Sequence, residues 1–182
     1  MTGVQTCALP ILTFFLIGFM GSGKTHWGKI WASMYSFTFI DLDEVIEKKE
    51  EKSIADIFDI KGENYFREIE AAALRSFDDL ENTIIACGGG TPCFFENIEW
   101  MNAKGTTIYL YSTAQEILHR VLSEQDKRPL IKKMNKGELL FFIEQKLKER
   151  ENFYNAANIT VTSSQATEQT FGNMLAQQQS PE

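Results

Sequence analysis

Apolar and polar residues recur with two different periods along this chain. Short apolar runs rich in β-branched and aromatic residues predict buried strands, and longer segments with apolar residues three or four positions apart predict amphipathic helices. Strands and helices follow one another in turn, which is typical of an α/β fold. The predicted strands are 12–17, 37–40, 83–87, 105–111 and 159–162. The predicted helices are 26–35, 44–52, 53–59, 62–77, 114–122, 136–154 and 168–176.

A glycine-rich segment separates the first predicted strand from the first predicted helix. Residues 18–25 read GFMGSGKT and match the phosphate-binding loop pattern G-x-x-x-x-G-K-[ST] at every fixed position. Its backbone amides, with those of the following helix, are suited to bind phosphate oxygens. Lys24 is expected to contact the β- and γ-phosphates, and the hydroxyl of Thr25 to bind Mg²⁺. The order of strand, loop and helix favours a nucleotide triphosphate site over a plain turn with an exposed lysine.

Polar residues and glycines follow the next two predicted strands. Asp41 and Asp43 come directly after the second strand, at the sheet edge where α/β folds bind ligands. One of them could act near the metal and the other near the acceptor, although Asp43 is also a candidate N-cap for the next helix. Gly88, Gly89 and Gly90 follow the third strand, and three glycines let the backbone lie close to a small ligand.

Two further segments carry charges with more than one interpretation. Arg67 and Glu70 are three positions apart on a predicted helix and share one face, so spacing alone favours a surface ion pair. The polar segment 123–130 interrupts the helical pattern and contains Arg128. In a phosphoryl-transfer enzyme such a segment is a candidate lid that excludes water and brings an arginine to the phosphates, and a solvated loop is the alternative.

Composition limits the class of protein. The chain has 182 residues and a net charge of −7, which argues against a general nucleic-acid binder. No apolar stretch reaches the roughly 18–20 residues that cross a membrane, and the first ten residues lack an export signal. The three cysteines show no metal-site spacing, so we expect reduced thiols in a cytoplasmic protein. We expect one domain at 11–176 with a lid at about 123–131, a disordered or non-native tail at 1–10 and a polar tail at 177–182.

Six motifs, in order, resemble those of the shikimate kinase family over residues 13–175. They are the phosphate loop at 18–25, D-x-D followed by I-E at 41–47, F-R-x-x-E at 66–70, G-G-G at 88–90, R-P-L at 128–130 and R-x-x-x-Y at 150–154. The resemblance implies a three-layer P-loop kinase fold in which helices flank a five-stranded parallel sheet, with a short lid. It also implies ATP- and Mg²⁺-dependent phosphorylation of the 3-hydroxyl of shikimate, in the pathway to aromatic amino acids. We expect a monomer that binds neither nucleic acid nor membrane.

On the acceptor side, the resemblance implies a role for each matching residue. Asp43 would bind the shikimate hydroxyls and act as the base, for which an aspartate of ordinary pKa suffices. Arg67 and Arg150 would bind the substrate carboxylate, because the planar guanidinium group suits it. Gly88, Gly89 and Gly90 would contact the ring hydroxyls through their backbone.

On the nucleotide side, the resemblance implies that residues of the phosphate loop bind ATP together with two arginines. Lys24 and Arg128 would stabilise charge on the transferred phosphoryl group. Thr25 would bind Mg²⁺ directly and Asp41 through water, and Arg120 would pack against adenine. The remaining loop contacts are Gly21, Ser22 and Gly23.

Two alternatives stay open at the level of sequence. Another small-metabolite P-loop kinase, such as a gluconate kinase, would share the phosphate loop and also need arginines for a carboxylate. A catalytically inactive nucleotide-binding module that binds a partner is the second alternative. The intact Lys24, Thr25, Asp43 and Arg128 argue against this second alternative, since an inactive copy has no need of all four.

Overall fold

A parallel sheet of five strands lies at the centre of this computed structural model, which describes residues 12–78, 80–123, 131 and 134–179. The strands are β1 Thr13–Ile17, β2 Thr38–Asp41, β3 Thr83–Ala86, β4 Thr106–Tyr111 and β5 Ile159–Thr162. Their order is β2-β3-β1-β4-β5, and each neighbouring pair is parallel. All five residues of β1 are buried, which explains its continuous apolar sequence. The predicted five-stranded parallel sheet is confirmed.

Helices cover both faces of the sheet. Those in the described residues are α1 Lys24–Tyr35, α2 Leu42–Glu50, α3 Ile54–Arg75, α4 Asn97–Lys104, α5 Ala114–Leu122, α6 Lys136–Asn155 and α7 Glu168–Gln179. Alternate residues of β1 contact opposite faces: Phe15 and Ile17 pack with residues of α2, α3, α4 and α6, whereas Phe14 and Leu16 pack with α1 and α7. This gives the three layers expected from the sequence. None of the described helices combines the length and apolar character that crossing a membrane requires.

The strand order determines where a ligand can bind. From β1 the chain crosses to β2 at one edge of the sheet and returns to β3, which lies between β2 and β1. It then continues with β4, which pairs with the other side of β1. Such a reversal next to a central strand opens a crevice at the carboxyl ends of the strands. The phosphate loop begins directly after β1, Asp41 is the last residue of β2, and Gly88–Gly90 begin two positions after the end of β3, so the fold brings them to this one crevice.

Local structure agrees with the sequence prediction at one place and departs from it at another. The helices predicted at 53–59 and 62–77 both lie within α3, whose helical backbone breaks at Gly62, where φ is 82° and ψ is 170°, so the predicted division between them is confirmed. Helix α4 and the 3₁₀ turn Thr91–Cys93 before it were not predicted. Only Asn97, Ile98 and Met101 of α4 are buried, so its short apolar side gives a weak helical pattern.

Candidate active site

The phosphate loop connects β1 to α1 through backbone conformations that favour glycine. Gly18, Gly21 and Gly23 all have left-handed φ values, and a Cβ added at Gly18 would lie 2.8 Å from the carbonyl oxygen of Leu110. Gly23 is the N-cap of α1 and provides no side-chain cap. The first amides of α1 are therefore available to an anion at the positive end of the helix dipole.

Two side chains of the loop, Lys24 and Ser22, are placed where they can bind the oxygens of a polyphosphate. The Nζ of Lys24 donates to the carbonyl oxygens of Gly18 at 2.8 Å and Phe19 at 3.0 Å, so the ammonium group lies folded over the loop. The Oγ of Ser22 is buried and has no hydrogen-bond partner in the described part of the chain. A buried hydroxyl without a partner is costly, and a phosphate oxygen would satisfy it. These residues fit the triphosphate of ATP.

A hydroxyl and a carboxylate at the end of the loop fit a magnesium ion. The Oγ1 of Thr25 donates to Oδ2 of Asp41 at 2.9 Å. Across residues 12–78, 80–123, 131 and 134–179, no three acidic, histidine or cysteine side chains form a metal cluster. A cation here would therefore need phosphate oxygens and water as further ligands, which is how Mg²⁺ is usually bound beside a nucleotide.

The N-cap of α2 corrects one prediction. Asp41, and not Asp43, caps this helix: its Oδ1 accepts a hydrogen bond from the backbone amide of Asp43 at 3.1 Å. Asp43 lies in the first turn of α2 with its side chain free of the capping role. The same hydrogen bond fixes Asp41, whose second oxygen contacts Thr25.

The carboxyl group of Asp43 has an unusually high pKa for an aspartate. Burial, followed by the charges of Asp41 and Glu70, raises its pKa from 3.8 to about 6, against the opposing effect of Lys24. The role predicted from the sequence required only an aspartate of ordinary pKa, and the structure gives Asp43 a higher pKa than that role requires. The pKa is raised first because the fold buries this carboxyl group and then because it places Asp41 and Glu70 nearby, neither of which spacing along the sequence reveals.

The pair formed by Arg67 and Glu70 lies in the protein interior. Glu70 is fully buried, and its Oε2 accepts from NH1 of Arg67 at 2.8 Å, while its Oε1 accepts from the Thr91 hydroxyl at 2.6 Å. Glu63 accepts from the Nε and NH2 atoms of Arg67 at 3.2 and 3.1 Å. The surface ion pair that spacing alone favours is therefore wrong, because α3 turns this face toward the turn that follows β3.

Gly88, Gly89 and Gly90 lie directly against charged side chains. A Cβ at Gly88 would lie 2.9 Å from Oε1 of Glu70 and 3.1 Å from Oδ1 of Asp43. A Cβ at Gly90 would lie 2.6 Å from NH2 of Arg67, and one at Gly89 would lie 3.3 Å from NH1 of Arg150. The glycines allow this close approach. Their predicted contact with a small ligand stays a prediction. Side chains at these positions would displace the charges.

Tyr154 anchors this glycine segment and was given no role from the sequence. Its hydroxyl donates to the carbonyl oxygen of Gly89 at 2.6 Å, and its ring stacks on Tyr109 at 4.9 Å. Burial raises the pKa of Tyr154, so the phenol stays protonated and keeps donating. The R-x-x-x-Y motif was the available signal: it places Arg150 and Tyr154 one helical turn apart, and both reach Gly89.

Arg120 is fixed above the phosphate loop from α5. Its NH1 donates to the carbonyl oxygen of Gly21 at 3.0 Å and to the Ser112 hydroxyl at 3.2 Å, and its NH2 donates to the Ser163 hydroxyl at 3.2 Å. Contact with adenine stays a prediction for this residue. Arg128 and most of the predicted lid lie outside the described residues.

One cavity joins these parts. It has a volume of about 720 Å³, within the usual range for a small-molecule site. We call its two sides the nucleotide wall, formed by residues 18–25, Asp41 and Arg120, and the acceptor wall, formed by Asp43, Arg67, Glu70, Gly88–Gly90 and Arg150. Lys24, Thr25, Asp41, Asp43, Gly88, Gly89 and Arg120 line the cavity itself. Arg67, Gly90 and Arg150 adjoin it through the glycine segment.

Comparison with known proteins gives one consistent answer. The family model for shikimate kinase matches residues 20–179. A shikimate kinase of Azobacteroides pseudotrichonymphae is 47% identical over 146 residues, which are 80% of this chain and 86% of that protein. Shikimate kinase from Bacteroides thetaiotaomicron has a similar structure, with a TM-score of 0.84 and 34% identity over 93% of this chain and 97% of that one. Shikimate kinase from Acinetobacter baumannii in complex with shikimate has a TM-score of 0.80 and 29% identity, over 93% of each chain.

A gluconokinase is a more distant structural neighbour. The enzyme from Sinorhizobium meliloti has a TM-score of 0.55 and 16% identity, over 91% of this chain and 90% of that one. Identity this low shows a common fold alone.

Proposed function

Because this chain belongs to the shikimate kinase family, we propose that it transfers the γ-phosphoryl group of ATP to the 3-hydroxyl of shikimate in the cavity between the nucleotide wall and the acceptor wall. One observation carries this assignment of sites. The same cavity is lined by Lys24 and Thr25 on one side and by Asp43, Gly88 and Gly89 on the other. A phosphate site and a site for a hydroxylated acid therefore face each other, as direct transfer between two substrates requires.

Asp43 is the proposed base. Its pKa of about 6 leaves it ionised at neutral pH and makes it a stronger base than an exposed aspartate. The carboxylate takes the proton of the acceptor hydroxyl, and the hydroxyl oxygen forms a bond to the γ-phosphorus. The bond between that phosphorus and the oxygen bridging to the β-phosphate breaks, and ADP leaves with its electron pair.

Lys24 is the proposed source of positive charge at the transferred group. In this structure its ammonium group is hydrogen-bonded to two loop carbonyl oxygens, which a phosphate can replace at little cost. Thr25 and Asp41 would bind Mg²⁺, directly and through water respectively. The bound ion supplies charge neutralisation on the phosphates. The loop amides add fixed dipoles that need no reorganisation during the reaction.

Arg67 and Arg150 are the proposed ligands of the shikimate carboxylate. Both guanidinium groups lie against the Gly88–Gly90 segment, and Glu70 and Glu63 hold Arg67 in a fixed orientation. A planar carboxylate matches the fork of a guanidinium group, so two such groups fix the substrate's position on the acceptor wall. That orientation would place the 3-hydroxyl near Asp43.

The remaining assignments extend the same proposal. Arg128 would stabilise the transferred phosphoryl group from a lid at about 123–131, and Arg120 would pack against adenine. We expect a single catalytic domain that acts as a monomer in the cytoplasm. Size-exclusion chromatography with light scattering tests the monomer, and fluorescence microscopy of the tagged chain in bacterial cells tests the location.

The test of the function is acceptor-dependent release of ADP. Purified protein with ATP and Mg²⁺ is compared with shikimate, with gluconate and without acceptor, and the phosphorylated product is identified by mass spectrometry. Release with shikimate alone, with formation of shikimate 3-phosphate, is the expected result. Turnover on gluconate alone would contradict the assignment of the acceptor wall, and ATP binding without turnover would contradict the assignment as a kinase.

A further inference from the structure

Three aromatic rings surround the guanidinium group of Arg67. Its central carbon lies 4.5 Å from the ring centroid of Phe94, 5.1 Å from that of Phe66 and 5.8 Å from that of Phe58. Phe66 belongs to the buried core and Phe58 packs against it, whereas Phe94 is 36% exposed. The ring nearest to Arg67 is therefore the one that is not part of the hydrophobic core.

Phe94 belongs to the same short segment as the glycines of the acceptor wall. It follows the 3₁₀ turn Thr91–Cys93, four positions after Gly90. A Cβ at Gly90 would lie 2.6–2.8 Å from three atoms of the Arg67 guanidinium group, so the Gly90 backbone already packs on that group. Phe94 adds a second contact from the same segment. The chain thus closes around Arg67 immediately beside the cavity.

The Phe94 ring covers a face of the Arg67 guanidinium group that the ion pairs leave uncovered. Glu70 and Glu63 bind the N–H groups of Arg67 in the plane of the guanidinium group, and the Glu63 side chain is 56% exposed. Hydrogen bonds in this plane leave the faces of the group open to water. Aromatic rings attract a cation over their faces and exclude water there, which strengthens any charge pair that the cation forms. The Arg67 side chain is accordingly only 9% exposed.

We propose that Phe94 is a positioning residue for the acceptor: its ring fixes the guanidinium group of Arg67 and shields it from water, which tightens binding of the substrate carboxylate. The inference rests on the proposed function, because it takes the carboxylate of shikimate as the ligand of Arg67. Phe94 acts through Arg67 and does not itself contact the reacting atoms.

The experiment compares Phe94→Ala with a matched control in the adjacent position. Phe95 is 53% exposed, and within the described residues the rings that contact Arg67 are those of Phe58, Phe66 and Phe94. We expect Phe94→Ala to raise the KM for shikimate about threefold to tenfold, with kcat and the KM for ATP within about twofold of wild type. Phe95→Ala is expected to leave all three within about twofold.

Salt dependence separates positioning from a general structural defect. With the ring removed, the pair between Arg67 and the carboxylate is more exposed to solvent and more strongly screened. The KM for shikimate should therefore rise more steeply between about 50 and 500 mM NaCl in Phe94→Ala than in wild type. Phe94→Leu keeps most of the apolar volume, guards against a folding defect and should give an intermediate KM.

Three results would overturn the proposal. The first is an equal KM for shikimate in Phe94→Ala and Phe95→Ala. The second is an equal salt dependence of that KM in Phe94→Ala and wild type. The third is a fall in kcat and a rise in the KM for both shikimate and ATP that accompany a lower Tm. Failure of the proposed function looks different, since wild-type protein would then show no turnover with shikimate. In that case calorimetric titration of the same variants with shikimate decides the role of Phe94, and equal affinity would overturn it.

Discussion

The two walls of the cavity are built in different ways. Most of the nucleotide wall is one contiguous segment, residues 18–25, whose backbone amides and Lys24 and Thr25 side chains are the proposed contacts of the phosphates and Mg²⁺. The acceptor wall combines side chains from α2, α3 and α6 with the segment that follows β3. A phosphate site can therefore be recognised from local sequence, whereas a site for a hydroxylated acid exists only after the chain has folded.

The walls also differ in how they treat charge. Lys24 is partly exposed and Thr25 is exposed, and both make hydrogen bonds that a ligand can replace. Glu70 is fully buried and the Asp43 carboxyl group is largely desolvated, with a raised pKa. Substitutions on the nucleotide wall should consequently change activity with little effect on stability, and substitutions on the acceptor wall should change both.

Lys24→Ala is expected to have a large effect on activity and to leave the fold intact. Losing a fixed charge at the transferred phosphoryl group should lower kcat/KM by about 10³-fold, while the free energy of unfolding stays within about 0.5 kcal/mol of wild type. Steady-state kinetics and urea unfolding measure the two quantities. Lys29→Ala, on the same helix and with its side chain 58% exposed, is the control and should keep wild-type kinetics. A Lys24→Ala protein with more than a tenth of wild-type kcat/KM would remove this residue from the mechanism.

Glu70→Ala is expected to destabilise the acceptor wall strongly. Among the described residues, the change leaves the exposed Glu63 as the acidic partner of the buried Arg67 guanidinium group, and it removes the acceptor of the Thr91 hydroxyl. Removing one partner of a buried pair costs about 3 to 4 kcal/mol of unfolding free energy. Urea unfolding measures it, with Glu68→Ala, an exposed position on the same helix, as the control within about 0.5 kcal/mol. A loss below about 1 kcal/mol would show that the pair does not organise this wall.

Asp43→Asn is expected to stabilise the protein at neutral pH, by less than Glu70→Ala destabilises it. The pKa of Asp43 is about 6 in the folded protein, against an ordinary 3.8, so the folded state binds a proton more tightly than the unfolded state. Ionised Asp43 therefore lowers stability above pH 6, by up to about 3 kcal/mol from the shift in pKa. This loss of stability disappears as the pH falls below 3.8, the pKa of the aspartate in the unfolded chain.

The measurement is urea unfolding of wild type and Asp43→Asn between pH 7.5 and pH 4, in EDTA and without nucleotide. The asparagine variant should be the more stable protein at pH 7.5, and the difference should shrink steadily toward pH 4. A difference that does not change with pH would contradict the raised pKa and, with it, the contrast between the walls.

Much of the fold was accessible from the sequence, for identifiable reasons. The apolar run of β1 and the glycines after it form a local pattern, and the helix Ala114–Leu122 has a capping box at Thr113 that fixes its start. Helix α4 was missed because its buried side is short. Prediction succeeded where one element carries its own signal.

The acceptor wall shows why the rest was not accessible. Periodicity placed Arg67 and Glu70 on one face of a helix but gave no information about what covers that face. The raised pKa of Asp43 comes first from burial and then from the charges of Asp41 and Glu70, and Glu70 belongs to a different helix. Phe94 carried no signal, because its contact with Arg67 joins positions that are far apart in the chain. The resemblance to a family, through motifs in order, predicted one substrate site for Asp43, Arg67, Gly88–Gly90 and Arg150, but it gave no role to Phe94.

Turnover by Asp43→Asn is the most direct test of the account, because Asp43 lies where the two walls meet. With saturating ATP, Mg²⁺ and shikimate, kcat should fall by about 10²- to 10⁴-fold, since the amide cannot take the proton of the hydroxyl. Calorimetry should still detect binding of ATP, and the variant should unfold at higher urea concentration than wild type at pH 7.5. A variant that keeps kcat within about tenfold of wild type would contradict the assignment of Asp43 as the base.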